Sequence, residues 1–92
     1  MKVEKLAFMA NQIAAFFEAD PDREVALDGF SGHLRRFWDP RMRKELLAWV
    51  DAGGGESLAP LVREALSLRR SQILPDPLAA ANGAKSPSGA PD

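Results

Sequence analysis

The 92-residue sequence predicts an all-α protein, with three to four short helices in a small bundle and a disordered C-terminal tail. Apolar residues recur at the spacing of amphipathic helices, and no stretch alternates for long enough to predict a strand. Two Asp-Pro pairs and one triple glycine divide the first 74 residues. After Pro75 the composition shifts to Pro, Ala, Gly and Ser. We therefore expect a helical domain at residues 1–74 and a disordered tail at residues 75–92.

The Asp-Pro pairs, Asp20-Pro21 and Asp39-Pro40, predict the starts of the second and third helices. An aspartate at the N-cap accepts hydrogen bonds from free backbone N–H groups, and proline suits the first helical position because it lacks an N–H. The glycines at 53–55 predict the end of the third helix, and Ser57 is a suitable cap for a fourth. The predicted helices cover about residues 3–19, 21–38, 40–52 and 58–70.

Each predicted helix has an apolar face, and together these faces predict the core. The expected core residues are Val3, Leu6, Met9, Ala10, Ile13, Phe16 and Phe17, then Ala26, Phe30, Leu34 and Phe37, then Met42, Leu46, Trp49 and Val50, and finally Leu58, Leu61, Val62, Ala65 and Leu68. Phe8 falls nearly opposite the first stripe. A core this small seldom contributes more than roughly 3–5 kcal/mol of net stability. An exposed Phe8 in such a chain suggests a second buried face, and hence a partner.

Composition argues against several classes of protein. There is no cysteine, so the chain has neither a disulfide nor thiolate ligands for an iron–sulfur cluster or zinc. The net charge of −1 is unlike the strongly basic balance of a dedicated nucleic-acid binder. Residues 1–17 contain polar breaks and resemble neither a secretory signal nor a membrane span. These features predict a soluble, cytoplasmic protein.

Catalytic motifs are missing from the sequence. His33 is the sole histidine and lies on the apolar side of the second helix, where we interpret it as a core or interface residue. The triple glycine lacks the Lys-Ser or Lys-Thr of a phosphate-binding loop. The acidic stretch at 18–28 does not have calcium-loop spacing, and we interpret it as a solvated corner. We predict that the chain is not an enzyme and binds no metal or cofactor.

The basic–aromatic corner, residues 35–44, is the most informative segment. It places five cations around Phe37 and Trp38, of which Phe37 is assigned to the core. Such a cluster is compatible with a solvated corner, a nucleic-acid surface or a protein interface. We favour the interface, because arginine and tryptophan are enriched at binding hot spots. The residues expected to bind a partner are Phe8, His33, Arg35, Arg36, Trp38, Arg41, Arg43 and Lys44.

Two segments, MANQIAAFF at 9–17 and HLRRFWDPRMR at 33–43, resemble the delta subunit of bacterial NAD-dependent, molybdenum- or tungsten-containing formate dehydrogenases. The resemblance covers roughly residues 1–70, including LLAWV at 46–50 and the glycine-rich turn. FWDPRMR is its most specific part, because two aromatic residues, a helix stop and a basic restart rarely occur in that order.

The resemblance implies a small, cofactor-free subunit of a cytoplasmic complex that interconverts formate and carbon dioxide. In that family the alpha subunit carries the molybdenum or tungsten pterin and iron–sulfur clusters, and the beta and gamma subunits carry FMN and further clusters and transfer electrons to NAD. The implied role is docking on these larger subunits for assembly or stability. A small helical regulator that binds nucleic acid through residues 35–44 is the alternative.

Overall fold

The computed structural model describes residues 2–74, which contain five helices and no strand. The helices are α1 (Val3–Phe17), α2 (Arg23–Phe37), α3 (Pro40–Asp51), α4 (Pro60–Leu68) and α5 (Arg70–Ile73). The all-α prediction is confirmed. The predicted fourth helix corresponds to α4, and the single turn α5 begins where that prediction ended. The predicted disordered tail, 75–92, lies outside the described residues.

Helix α2 is the centre of the packing, since it contacts α1, α4 and α5, while α1 also packs on α3 and α4. The large side chains that are fully buried come from all five helices: Leu6, Leu27, Phe30, Leu34, Leu46, Leu47, Leu61, Val62 and Ile73. They form one continuous core with small residues such as Ala10 and Ala14. Alanines on the buried face of α1 allow its backbone to approach the other helices closely.

Two contacts show that α1 and α2 run antiparallel. The ring of Phe17, at the end of α1, lies against Gly29 in the first half of α2. A side chain at position 29 would place its Cβ 2.6 Å from that ring, so this approach requires glycine. At the other end, Met9 and Phe37 line the same groove.

The cap predicted at Asp39-Pro40 is confirmed, because Asp39 Oδ1 accepts a hydrogen bond from the Arg41 N–H at 2.8 Å. The cap predicted at Asp20-Pro21 is wrong by two residues. Asp22 caps α2, accepting from Glu24 N–H at 3.0 Å, while Asp20 accepts from the Asp22 N–H at 2.9 Å. The Asp20 side chain thus forms an Asx-type turn that leads the chain into the cap.

The triple glycine ends α3 as predicted. Gly53 N–H donates to the Val50 carbonyl at 3.0 Å and Gly54 N–H donates to the Trp49 carbonyl at 2.9 Å. This pair of bonds is the Schellman pattern, and it needs a left-handed residue directly after the cap. Gly53 supplies that residue with φ of +101°.

The cap predicted at Ser57 is wrong, because α4 begins at Pro60 and its free end is satisfied from another helix. Asn11 of α1 accepts a hydrogen bond from the Ala59 N–H at 2.8 Å through Oδ1. Its Nδ2 donates to the Ser57 carbonyl, also at 2.8 Å. One amide therefore holds the loop before α4 against α1, a contact across more than forty residues that local sequence patterns do not reveal.

Three residues of the predicted core lie at the surface, and one residue assigned to the surface is buried. Phe16 is 75% exposed, Phe37 is 72% exposed and Leu68 is 58% exposed, so none of them is a core residue. Trp38, assigned to the surface corner, is only 5% exposed. Helix α2 ends at Phe37, and Trp38 adopts an extended backbone with ψ of 137°. That change of backbone direction directs the indole into the core and leaves the preceding ring on the helix surface.

Arginines attach the C-terminal turn α5 to the rest of the bundle. Buried Arg43 donates from Nη1 to the Ile73 carbonyl at 2.5 Å, and Arg35 donates from Nη1 to the Gln72 carbonyl at 3.4 Å. These carbonyls belong to the end of a helix, where cations are favoured by the free acceptors and the helix dipole. Residues 35 and 43, expected to bind a partner, are thus engaged within the chain.

Ion pairs reinforce the same junction. Arg69 Nε lies 2.8 Å from Asp28 Oδ1, and its Nη2 contacts Glu24. These hydrogen bonds, with that of Asp28 the largest, raise the pKa of Arg69. Arg70 binds Asp51 through both carboxylate oxygens, at 3.0 and 2.6 Å, and this bond lowers the pKa of Asp51. The acidic stretch at 18–28 is therefore only partly a solvated corner.

Within residues 2–74, no helix has both the length and the apolar character that crossing a membrane requires.

The first prediction concerns the cap provided by α1. Asn11→Ala removes both hydrogen bonds to the loop before α4 and should lower the free energy of unfolding by about 1–2 kcal/mol, as expected for a lost cap. Asn11→Asp keeps an acceptor for the Ala59 N–H but loses the donor, so its stability should lie between those of Ala and the parent. Urea unfolding measures both. An alanine variant as stable as the parent would contradict the proposed cap.

The second prediction concerns Arg43. Arg43→Ala removes the bond to the Ile73 carbonyl and the packing of the arginine stem, which should cost about 1–3 kcal/mol. It should also accelerate amide hydrogen exchange in α5. Arg36→Ala, the same change at an exposed position, should alter the unfolding free energy by less than about 0.5 kcal/mol. Equal effects of the two substitutions would show that the buried bond contributes nothing.

Candidate docking surface

The structure divides the predicted basic–aromatic corner between the interior and the surface. Trp38 belongs to the core, and Arg43 and Arg35 bind the carbonyls of α5. Arg36, Arg41 and Lys44 are exposed, and none of them forms an ion pair within residues 2–74. Successive side chains at the end of a helix point in different directions, some into the core and some into solvent. The side chains of residues 35–44 are therefore divided between the two and do not form one continuous basic patch.

Four aromatic rings form a row across α1 and α2, which we call the aromatic row. Phe16 and Phe17 meet edge to face with ring centroids 5.1 Å apart. His33 lies 6.2 Å from Phe17 and 4.8 Å from Phe37. The two central rings are half-buried, and the two outer rings are largely exposed. The imidazole of His33 is therefore packed between phenylalanines, and the row brings together residues from both helices.

Beside this row lies an open depression of about 430 Å³, here called the α1–α2 groove. Its lining residues come from three helices and the α2–α3 junction: Met9, Gln12, Ile13, His33, Phe37, Trp38 and Met42. Six of these seven side chains are apolar or aromatic. Methionines provide an adaptable apolar surface, and the indole of Trp38 forms part of the floor while belonging to the core.

Phe8 is 60% exposed, in agreement with its predicted position outside the core. It lies one turn before Gln12 on α1, and Phe16 lies one turn after Gln12. Phe8 and Phe16 therefore extend the apolar rim of the groove along α1. Large exposed side chains that form a contiguous patch are more informative than isolated ones, and such patches mark interaction sites.

The sequence interpretation missed Phe16, Phe37, Ile13 and the two methionines as candidate surface residues, because each fell on a stripe assigned to the core. One indication was present in the sequence. Phe16 and Phe17 are consecutive, and adjacent residues on a helix differ in direction by about 100°, so one narrow core cannot take both rings. The apolar residues of α1 thus cover more of the helix circumference than packing against the core alone requires.

Neither a catalytic arrangement nor a metal site is evident within residues 2–74. No group of three or more His, Asp or Glu side chains in this part of the chain could hold a metal ion. His33 contacts aromatic rings on both sides, and no hydroxyl or carboxylate of the described residues hydrogen-bonds to it. What the described surface offers is an apolar groove with charged residues around it, an arrangement suited to binding another polypeptide.

Comparison with known proteins gives one family. The model of the NADH-dependent formate dehydrogenase delta subunit family (FdsD) matches residues 5–66, which include most of α1, all of α2 and α3, and most of α4. No curated protein and no solved structure matches the chain significantly. The match covers the aromatic row and the whole α1–α2 groove and ends before α5. The chain belongs to the family of NADH-dependent formate dehydrogenase delta subunits.

Proposed function

We propose that this chain is the non-catalytic small subunit of a cytoplasmic, NAD-dependent formate dehydrogenase complex and that it docks on the larger subunits to support their assembly or stability. Membership of the delta-subunit family, over residues 5–66, is the observation that carries the proposal. The surface is consistent with it, because a chain with a small core leaves Phe8, Phe16 and Phe37 largely exposed. Burial of such side chains against a partner is favourable by about 25 cal/mol per Å².

In this proposal the reaction takes place entirely on the larger subunits. The alpha subunit would hold the molybdenum or tungsten pterin and iron–sulfur clusters, and the beta and gamma subunits would hold FMN, further clusters and the NAD site. The delta chain itself would bind none of these groups. In support, its sequence has no cysteine for a cluster.

The candidate contact residues divide into two groups in the light of the structure. Phe8, Arg36, Arg41 and Lys44 are exposed, and His33 is half-buried in the aromatic row, so all five remain candidates for contact with a partner. Arg35, Trp38 and Arg43 are used within the fold, and their proposed role is to support the surface from beneath. Replacing Trp38 would therefore test folding and docking together, whereas Phe37 reports on docking alone.

The alternative, in which residues 35–44 bind nucleic acid, has less support, because these residues are divided between the interior and the surface. Arg43 is buried and Arg35 binds the end of α5, so fewer cations are available for phosphates than the sequence indicated. Binding of this kind would decline steeply with salt, because phosphate contacts release counterions.

The third prediction tests the proposed function in the native cell. The tagged chain should co-purify with a large pterin-containing subunit and with flavin and iron–sulfur subunits, and the preparation should form NADH from formate. Cells that lack the chain should yield less assembled complex, because the exposed apolar surfaces of the partner would lose their cover. Mass spectrometry and a formate–NAD assay measure these results. Recovery of the chain alone or with nucleic acid, without formate activity, would overturn the proposal.

A further inference from the structure

The α1–α2 groove has the shape of a site for one helix. It lies between two antiparallel helices, with Trp38 and Met42 among its lining residues, and is open to solvent. Its lining residues on α1 are Met9, Gln12 and Ile13. Together with the adjoining aromatic row, this surface extends along α1 to Phe17, and residues 9–17 span about 12 Å at the helical rise of about 1.5 Å per residue. That length corresponds to two to three turns of a docked helix, and the spacing of helix side chains suits an apolar stripe that fills such a groove.

The two ends of the groove differ in charge. At the end formed by Met9, Phe37 and Met42, the exposed cations are Lys2, Lys5, Arg36 and Arg41. The carboxylates at this end are Glu4 in the first turn of α1, Asp39, which caps α3, and Glu45. None of the four cations forms an ion pair within residues 2–74. This end therefore carries an excess of positive charge.

The opposite end of this surface, where the aromatic row ends at Phe16 and Phe17, has an excess of negative charge. Glu18, Asp20 and Asp22 follow the two rings directly and are exposed. The one cation that follows them, Arg23, is paired with Glu64 at 2.5 Å. The groove and the adjoining aromatic row are thus mainly apolar, with basic residues at the end of the groove and acidic residues at the end of the row.

From this arrangement we infer that the groove binds an amphipathic helix of a larger subunit in one direction, with the C-terminus of that helix at the basic end. This inference rests on the proposed function. A helix carries a partial negative charge at its C-terminus and a partial positive charge at its N-terminus. In this direction, each end of the bound helix therefore lies next to charged residues of the opposite sign. The bound helix runs parallel to α2 and antiparallel to α1, presents apolar side chains to Ile13 and Met42, and carries acidic residues near Arg36 and Arg41.

Other occupants fit the groove less well. A second copy of this chain would bring one concave surface against another, which leaves the depression unfilled. The segment 75–92 contains Leu78 as its sole large aliphatic residue and has no aromatic residue, so it lacks the apolar side chains to cover the aromatic row. A helix with a continuous apolar stripe meets the requirements of shape, polarity and charge together.

Photo-crosslinking in the assembled complex tests this inference. A benzophenone amino acid replaces Phe16 or Phe37, which are exposed rings whose substitution leaves the core intact. The same amino acid at Leu68, exposed on α4 away from the groove, is the matched control. The chain is co-expressed with the larger formate dehydrogenase subunits, the purified complex is irradiated, and the linked peptides are identified by mass spectrometry.

We expect the Phe16 and Phe37 positions to link to one helical segment of a larger subunit. The residue linked from position 37 should lie C-terminal to the residue linked from position 16 by roughly eight residues, from the 12 Å span. Leu68 should not link to that segment. The reverse order of linked residues would overturn the assigned direction, and links to a second copy or to residues 75–92 would overturn the assigned occupant.

A charge reversal provides a second measurement. Arg41→Glu should weaken retention of the chain in the complex several-fold, and more strongly at low salt. The control is Arg63→Glu, a charge reversal at an exposed position on α4, which should have little effect. If the chain co-purifies with the larger subunits but shows no link from the groove and no effect of Arg41→Glu, the groove is not the docking site and the proposed function still stands. If the chain does not co-purify at all, the proposed function itself fails.

Discussion

The structure depends on burial of one face of α2. Leu27, Phe30 and Leu34 on this helix are fully buried, and α1, α4 and α5 pack around them. A chain with so few large apolar residues cannot form several independent clusters, so each remaining helix must share this one core. The close approach of Phe17 to Gly29 fixes the relation of α1 to α2, and the groove between the two helices follows from that geometry.

Polar contacts between distant segments compensate for the short helices. α4 has nine residues and α5 has four, lengths at which isolated helices are unstable in water. Asn11 satisfies the backbone before α4, and Arg43, Arg35 and Arg69 hold α5 against α2 and α3. Some of the cations expected to bind a partner, Arg35 and Arg43, thus complete the fold. The candidate docking surface therefore lies on the apolar side of α1 and α2.

The candidate surface and the fold share residues, which limits where substitutions are informative. Trp38 forms part of the floor of the groove and also belongs to the core, whereas Phe16 and Phe37 project from the rim with little contribution to packing. An accessory subunit with this arrangement can present a preformed apolar surface without a large rearrangement. In the proposed docking, the charge difference between the two ends of the surface sets the direction of the bound helix, because charged groups at an interface contribute orientation and specificity.

The sequence by itself determined the helical class, the cap at Asp39, the glycine stop after α3 and most of the core, because these features depend on local hydrogen bonding and on helical periodicity. The family resemblance, confirmed over residues 5–66, came from local motifs as well. Only the tertiary structure decided that Asn11 caps α4, that Arg43 is buried, and that Trp38 points inward while Phe37 points outward. Those outcomes depend on which segments meet across more than twenty residues of chain and on the direction of the backbone where a helix ends. The spacing of residues along one helix predicts neither the long-range contacts nor that backbone direction.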